Sequence, residues 1–450
     1  MQPKAKRPTH EQPLFGARLE LMLDLDHELA KLAKVIDWDG LVAQFGPFYA
    51  ETGRPGVPIR MMAGLVLLQH TFKFSDEEVV ARWIENPYWQ FLCGEEFFQH
   101  RLPINPSQLS RWRKRIGPDG CEKLLSLTIL AGLASKTVQP KSFEKVIVDT
   151  TVQPKAVAHP TDARLYHKAL NALVRIAKST GVELRQSYTR LSKVALIKHG
   201  QYRKAKQFKR AKKEQRKLKT FTGRVHRDLE RNLPQADWEA HKGTMILTEL
   251  LLTQARTTKG KVYSIHAPEV ECIAKGKAHK PYEFGVKVSL ATTLKEGFVV
   301  GMRAIAGNPY DGHTLADQLD QVEKLTGKMP SRAHVDKGYK GHGVDPTTCQ
   351  VLISGSRRGI DKPLAKEMKR RAAIEPEIGH QKSDGKLDRN FLKGSQGDAM
   401  NALLCGAGHN LRKILAKLRL CLLAWIWALV RRIWRFAESF GFPPEAPEAA

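Results

Sequence analysis

Apolar residues recur along the chain in distinct patterns, and each pattern predicts a different element. In VPIRMMAGLVLLQHTFKF, Met61, Leu65, Leu68 and Phe72 return at helical spacing, so the stretch reads as a helix with a buried stripe. SDEEVVARWIENPYWQFLCG follows, with Ser75 placed to cap a helix whose first turn is acidic. A further capped helix starts at Ser107 in NPSQLSRWRKRIGPDG and should stop at Gly117-Pro118. The opening third is therefore helical. Strand chemistry begins at EKVIVDTT, where Val146, Ile147 and Val148 form a short apolar run that ends at Asp149, as in a buried strand. In PYEFGVKVSL, Tyr282, Phe284, Val286, Val288 and Leu290 alternate with Glu283, Gly285, Lys287 and Ser289. That period of two signals a half-buried strand, and GFVVGMRAIAG follows as its hairpin partner. Thr314 to Leu325 returns to helical spacing and closes at Gly327 and Pro330. SRAHVD and CQVLIS are two more short strands. The order is strand, long insertion, strand, strand, helix, strand, strand, helix, which is an α/β chain.

The insertion, about Lys155 to Gly260, is helical and polar. Between Tyr202 and Arg231 thirteen Lys/Arg face only Glu214, Asp228 and Glu230, so this stretch alone carries +10 of the chain's +28. A solvated helix or a disordered basic arm would show the same density. A surface that tracks DNA phosphates explains it better, because neutralising them releases counterions and drives binding. Lys209, Arg210, Lys212 and Lys213 are its candidate contacts. In SQLSRWRKR, Arg111, Arg113, Lys114 and Arg115 lie on a short helix preceded by a turn. They suit either a helix-turn-helix reader or an ordinary solvated basic face.

Whole-chain numbers narrow the class. With 450 residues, 42% of them hydrophobic, the chain can bury one large core or a few smaller ones. A net charge of +28 and a pI near 9.9 favour an anionic partner, nucleic acid first. Cys93, Cys121, Cys272, Cys349, Cys405 and Cys421 are scattered without a Cys-x-x-Cys, which argues against both a disulfide framework and a zinc finger. His266, His279 and His334 form no zinc-like pair. MQPKAKRPTHEQP lacks a secretory core, and the longest apolar run, Leu420 to Val430, is too short to span a bilayer. A soluble, cytoplasmic protein with no membrane partner is expected. No Gly-rich phosphate loop appears, so ATP is not expected. The tail from Leu411 to Phe436 is basic and carries Trp425, Trp427, Trp434 and Phe436. Packing on the core or on a second subunit is the commoner outcome for such a helix.

Candidate chemistry comes from three acids. Breaking a phosphodiester bond without a covalent intermediate needs a nucleophilic oxygen, neutralised charge and in-line geometry, which two carboxylate-held divalent ions supply. Asp149 ends the first strand, Asp336 ends the strand of SRAHVDKGYKGH, and Glu375 lies on the helix that starts near Pro363. Arg371, Glu375 and Lys382, four and seven residues apart, fall on one helical stripe. A lone Arg-Glu pair there would be a surface ladder; beside two strand-end aspartates it becomes a catalytic acid flanked by phosphate-binding cations. Pro376 should kink or restart the helix just beyond Glu375. Lys337, Tyr339 and Lys340 could reach the DNA backbone. Asp311 and His313, in GNPYDGHT, are accounted for by Asp as a cap and Gly as a turn residue, and at most they back the acids without touching a metal or DNA.

These residues resemble the DDE transposases of bacterial insertion sequences, of the insertion-sequence-five (IS-5) type. That family's third-acid helix runs Tyr, two residues, Arg, three residues, Glu, six residues, Lys; here it reads Met368, Arg371, Glu375, Lys382, with Met in the Tyr position. VIVDTT, GNPYDGHTL and HVDKGYKG look like its first-acid, intervening and second-acid blocks, and RPGVPIRMMAGLVLLQ looks like its N-terminal domain. The resemblance runs from about Gly53 to Lys413. It implies an RNase H-like catalytic core, a mixed sheet flanked by helices, over residues 140–395. A helical insertion at 155–260 interrupts this core, a helical DNA-binding or dimerisation domain (1–135) precedes it, and a basic helical tail (396–450) follows. It further implies Asp149, Asp336 and Glu375 as ligands of two Mg2+ or Mn2+ ions, with Arg371 and Lys382 on the DNA near the scissile phosphate. The expected protein is a bacterial, nucleoid-associated transposase. It would bind inverted repeats on double-stranded DNA, cleave them and join the 3′ ends to target DNA as a homodimer or larger synaptic complex. A metal-dependent nuclease without strand joining would keep the same acids. A transposase-derived DNA-binding regulator would not need them.

Overall fold

The computed structural model describes residues 18–439 apart from 51, 53–55, 102–103, 256, 275–280 and 356–360, with side chains to 419. Residues 1–13 and His279, and the side chains of Cys421 and of the tail aromatics Trp425, Trp427, Trp434 and Phe436, therefore lie outside what is described.

The chain opens with α1 (Leu19–Met22), α2 (Glu28–Val35), α3 (Trp38–Phe45) and α4 (Ile59–Thr71). The apolar stripe expected of α4 widens to its whole surface. All of it but Arg60 is buried, as in a helix at the centre of a core rather than on its rim. α5 (Asp76–Glu85) begins with the expected cap: Ser75 Oγ accepts from Glu78 N at 3.1 Å, and Glu78 returns to Ser75 N at 2.8 Å. The helix does not run on to Cys93. Pro87 breaks it, and Asn86 caps a new helix, α6 (Pro87–Leu92). α7 (Ser107–Ala134) is likewise longer than expected. Gly117 leaves the helical region (φ 60°, ψ −166°), which only kinks the helix because Pro118 falls in the first turn of the resumed segment, where no N–H is needed.

β1 (Lys145–Pro154) follows, then the insertion: α8 (Asp162–Thr180), α9 (Thr189–Lys204), α10 (Phe208–Asn232) and α11 (Gln235–Thr253). The basic stretch is the end of α9, a short turn and helix α10, not a disordered arm. Its apolar stripe, including Leu218, Val225 and Leu229, is buried in small cores that the insertion makes for itself. β2 (Glu271–Ala274), β3 (Tyr282–Thr293) and β4 (Val299–Ile305) come next, followed by α12 (Leu315–Thr326), β5 (Arg332–Val335), β6 (Gln350–Ile353), α13 (Lys362–Lys369), α14 (Ile374–Ser383) and α15 (Gly394–Ser439).

The strands form one mixed six-stranded sheet in the order β2-β3-β1-β5-β6, with β4 also on β3. β3 is antiparallel to β1, β2 and β4, while β1, β5 and β6 are parallel. β3 was expected to be half-buried, yet it is covered on both faces from Gly285 onward, and the polar positions Lys287 and Ser289 are buried with the rest. One hydrophobic cluster joins α4, α7, the sheet, α12 and the first half of α15, where Leu404, Ala407 and Ile414 are fully buried. The early part of the tail thus packs on the core. Among the described residues no helix is long and apolar enough to cross a membrane.

Candidate active site

Strand register brings the two aspartates together. β1 and β5 run parallel with Lys145, Val146 and Ile147 opposite Arg332, Ala333 and His334. The same offset of 187 residues (332 − 145 and 336 − 149) relates Asp149 to Asp336, so the two lie level on strands about 4.8 Å apart. Asp336 stands just past β5, as expected, and its Oδ1 accepts from Gly338 N at 2.8 Å to close the turn Lys337–Tyr339. Asp149 does not end its strand. It sits in the middle of β1, because Thr150 to Pro154 go on pairing with β3.

The third acid arrives on a broken helix. The break falls before Glu375, not beyond it: α13 ends at Lys369, Arg370–Ala373 is a tight 3-10 turn, and α14 restarts at Ile374. Pro376 thereby lies in the first turn of α14, where its missing N–H costs nothing. Both halves are tied down. Glu367 of α13 meets Lys145 Nζ at 2.5 Å, His334 Nε2 at 3.1 Å and Arg332 at 3.4 Å, which clamps the helix to the ends of β1 and β5. Burial opposes ionisation of Glu367, but the Lys145 hydrogen bond and the surrounding cations outweigh it and hold its carboxyl below the ordinary value. Arg370 donates to the carbonyls of Leu294 and Lys295. On α14, Ile374 is buried in the core and Glu377 pairs with His409 at 3.1 Å and Lys413 at 2.8 Å of α15.

Held this way, Arg371 turns into the acids. Its Nη2 is 2.8 Å from Asp149 Oδ2 and 3.8 Å from Asp336 Oδ2, and its Nη1 is 3.3 Å from Glu375 Oε1. All three carboxylates thus converge on one guanidinium. Side-chain exposure rises from 14% at Asp149 through 36% at Asp336 to 66% at Glu375, so the site opens to solvent on the α14 side. Tyr339 is buried beneath it, and its phenol is pushed up by burial and by the charges of Asp149, Asp311 and Asp336.

The donor set is all carboxylate oxygen, the chemistry that Mg2+ or Mn2+ takes. The focus of the three acids is already a cationic position, filled by Arg371. Among the described residues no three His, Cys, Asp or Glu side chains are grouped to hold an ion.

The other candidates divide by exposure. Lys337 and Lys340 are exposed next to Asp336, Met368 and Lys382 are half-buried, and Lys209, Arg210, Lys212 and Lys213 are exposed on α10. Arg111, Lys114 and Arg115 are exposed on α7, but Arg113 is not available to DNA. Its side chain is buried against Asp76 at 2.5 Å and Gln69 at 3.1 Å, because it lies on the inner face of α7 with Leu109 and Ile116. Asp311 does not cap the helix that follows it. The turn there is closed by its main-chain carbonyl, which accepts from Thr314 Oγ1 at 2.7 Å, and its carboxylate faces Thr150 and Lys287 instead. Those partners lie 161 and 24 residues away, so no local pattern signals them.

Residues 17–115 match the family model of a transposase domain (DUF772). Over 206 residues, 46% of this chain, the sequence is 53% identical to the full length of the "Uncharacterized protein ORF8 in nfe locus" of Rhizobium meliloti. No solved structure matches.

Proposed function

Because the chain belongs to one family with that Rhizobium meliloti protein and carries a transposase domain, we propose that it is a DNA transposase of the DDE type built on an RNase H-like core. The observation that carries this is the convergence of Asp149, Asp336 and Glu375 on Arg371. A surface ion-pair ladder would not reach across two strands of a sheet.

In this mechanism Asp149, Asp336 and Glu375 would hold two Mg2+ or Mn2+ ions, as the all-oxygen donor set suits. When bound, such ions neutralise charge on the scissile phosphate and lower the pKa of a water. Arg371 gives up the carboxylates and turns to phosphate oxygens, a bidentate role its planar fork suits. Lys337, Lys340 and Lys382 add positive charge on either side of the acids. In cleavage a water oxygen bonds to phosphorus and loses a proton to solvent, the bond to the 3′ oxygen breaks, and that oxygen takes up a proton from solvent and leaves as a hydroxyl. In joining, the same hydroxyl oxygen bonds to a target phosphorus and gives up its proton, and the target 3′ oxygen leaves and is protonated to a hydroxyl.

The exposed cations of α10, with Arg111, Lys114 and Arg115, hold the duplex ends through their phosphates. Two ends require two sites, hence a homodimer or larger synaptic complex. The test uses labelled element-end DNA in Mg2+. Asp149→Asn and Glu375→Gln should abolish strand cleavage and leave end binding intact, and cleavage at the wild-type rate by either would refute the assignment. Strand transfer from pre-cleaved ends separates the transposase from a nuclease.

A further inference from the structure

Asp311 makes contacts that turn formation does not require. Its Oδ1 accepts from the hydroxyl of Thr150, the residue after Asp149, at 3.1 Å and from Lys287 Nζ at 2.8 Å. The Lys287 ammonium also donates to the carbonyl of Pro309 at 2.5 Å, and its side chain is only 11% exposed. On the other side Asp311 meets the turn that follows Asp336. A Cβ at Gly338 would lie 2.9 Å from Asp336 Oδ1 and 3.4 Å from Asp311 Oδ2, so the turn passes between the two carboxylates. Tyr339 feels the charges of Asp149, Asp311 and Asp336 together. Asp311 therefore touches the neighbours of both strand-borne acids.

We propose that Asp311 is a positioning residue of the acid site. Through Thr150 and the Gly338 turn it fixes Asp149 relative to Asp336, and by pairing with Lys287 it cancels a buried cation that would otherwise repel divalent ions. This rests on the reading of Asp149, Asp336 and Glu375 as ion ligands. Without Asp311 the Lys287 ammonium remains buried within about 6 Å of the Thr150 hydroxyl, since both bind the same Asp311 oxygen, and an uncompensated positive charge in the wall of the site weakens cation binding. Removing both members leaves no such charge, and a methionine in place of Lys287 keeps the apolar stem.

The experiment measures Mn2+ uptake by the full-length, DNA-free protein with electron paramagnetic resonance, checking folding by circular dichroism. Asp311→Asn should weaken Mn2+ binding by about tenfold or more, and Lys287→Met combined with it should restore affinity to within about threefold of wild type. Thr150→Val keeps the charge pair but cuts the tether, so it should cost about two- to fivefold and serves if Asp311→Asn does not fold. Asp149→Asn is the control for the ligand reading. If wild-type protein takes up no Mn2+, or if Asp149→Asn binds it equally well, the ligand reading and this proposal both fall. If Asp149→Asn weakens binding while Asp311→Asn or Thr150→Val leaves it unchanged, the positioning role alone is overturned. A double variant no better than Asp311→Asn would overturn the charge cancellation and leave only a structural loss.

Discussion

The acid site and helix α10 handle charge in opposite ways. At the acid site Arg371 stands among Asp149, Asp336 and Glu375, Lys287 meets Asp311, and Glu367 gathers Lys145 and Arg332 and also meets the His334 imidazole. Opposite charges, the imidazole aside, are closed on one another within the fold. On α10 the cations Lys209, Arg210, Lys212 and Lys213 are exposed, and the stretch from Tyr202 to Arg231 that includes most of the helix carries an excess of +10. Its buried stripe joins Leu218, Val225 and Leu229 with Glu214, Thr222 and His226, and stabilises the insertion without those four cations. Internal closure ties a charge to folding and geometry, whereas an exposed excess calls for an external anion. Substitutions in the two regions should therefore fail differently.

The largest effect is expected at the acids. Losing one ion ligand should cost several kcal/mol of transition-state stabilisation, so Glu375→Gln should cleave end DNA about a thousandfold more slowly or not at all. Its DNA affinity and melting temperature should stay near wild type, because Glu375 is largely exposed. On α10 the pattern reverses. Replacing Lys209, Arg210, Lys212 and Lys213 together by Ala should leave stability intact and weaken DNA binding. The plot of log affinity against log salt should flatten by up to about 0.9 per lost phosphate contact. Filter binding at several salt concentrations reads both changes.

Arg113 sharpens the contrast because its neighbours on α7 are exposed. Arg113→Met removes the partner of Asp76, whose carboxyl is half-closed from water, and should cost about 2–3 kcal/mol in urea unfolding. Lys114→Ala should change stability by less than about 0.5 kcal/mol. Asp76 shows the reason: burial opposes its charge, but hydrogen bonds from Arg113 and Gln69 outweigh it and hold its carboxyl below the ordinary value. That contribution is present above the unfolded carboxyl value and is lost as pH falls through the folded one.

The smallest effect is acid sensitivity near neutrality. Burial holds the imidazoles of His70, His334 and His409 below their ordinary value, His70 at about 3. Below pH of about 6.5 the unfolded chain binds protons that the folded chain refuses, so stability falls as pH falls. Urea midpoints should drop by a modest amount between pH 7.5 and pH 5.5 and stay flat above pH 7.5.

Much of this arrangement can be read in the sequence, and the unread parts share a cause. Ser75 caps its helix, the helix before Gly327 ends there, and β3 pairs with β4, because capping, periodicity and hairpin pairing are local. The three acids are read from their elements, and carrying the β1–β5 register on by two residues sets the first two level. Arg113 reads as a DNA contact because its partner Asp76 is 37 residues away. β1 reads as ending at Asp149 because its second half, Thr150 to Pro154, is polar and is held by β3 rather than by its own pattern. The helix break before Glu375 is equally hidden. Pro376 marks a boundary, but only the clamps of Glu367 and Arg370 decide on which side of the acid it falls.

The shared site can be tested by loading the protein with Fe2+ in place of Mg2+ and letting it generate hydroxyl radicals where it binds. Backbone scission should appear within a few residues of 149, 336 and 375 together and fade as Mg2+ is added. Scission near only one of the three, or at positions remote from all of them, would contradict a common ion site formed by these acids.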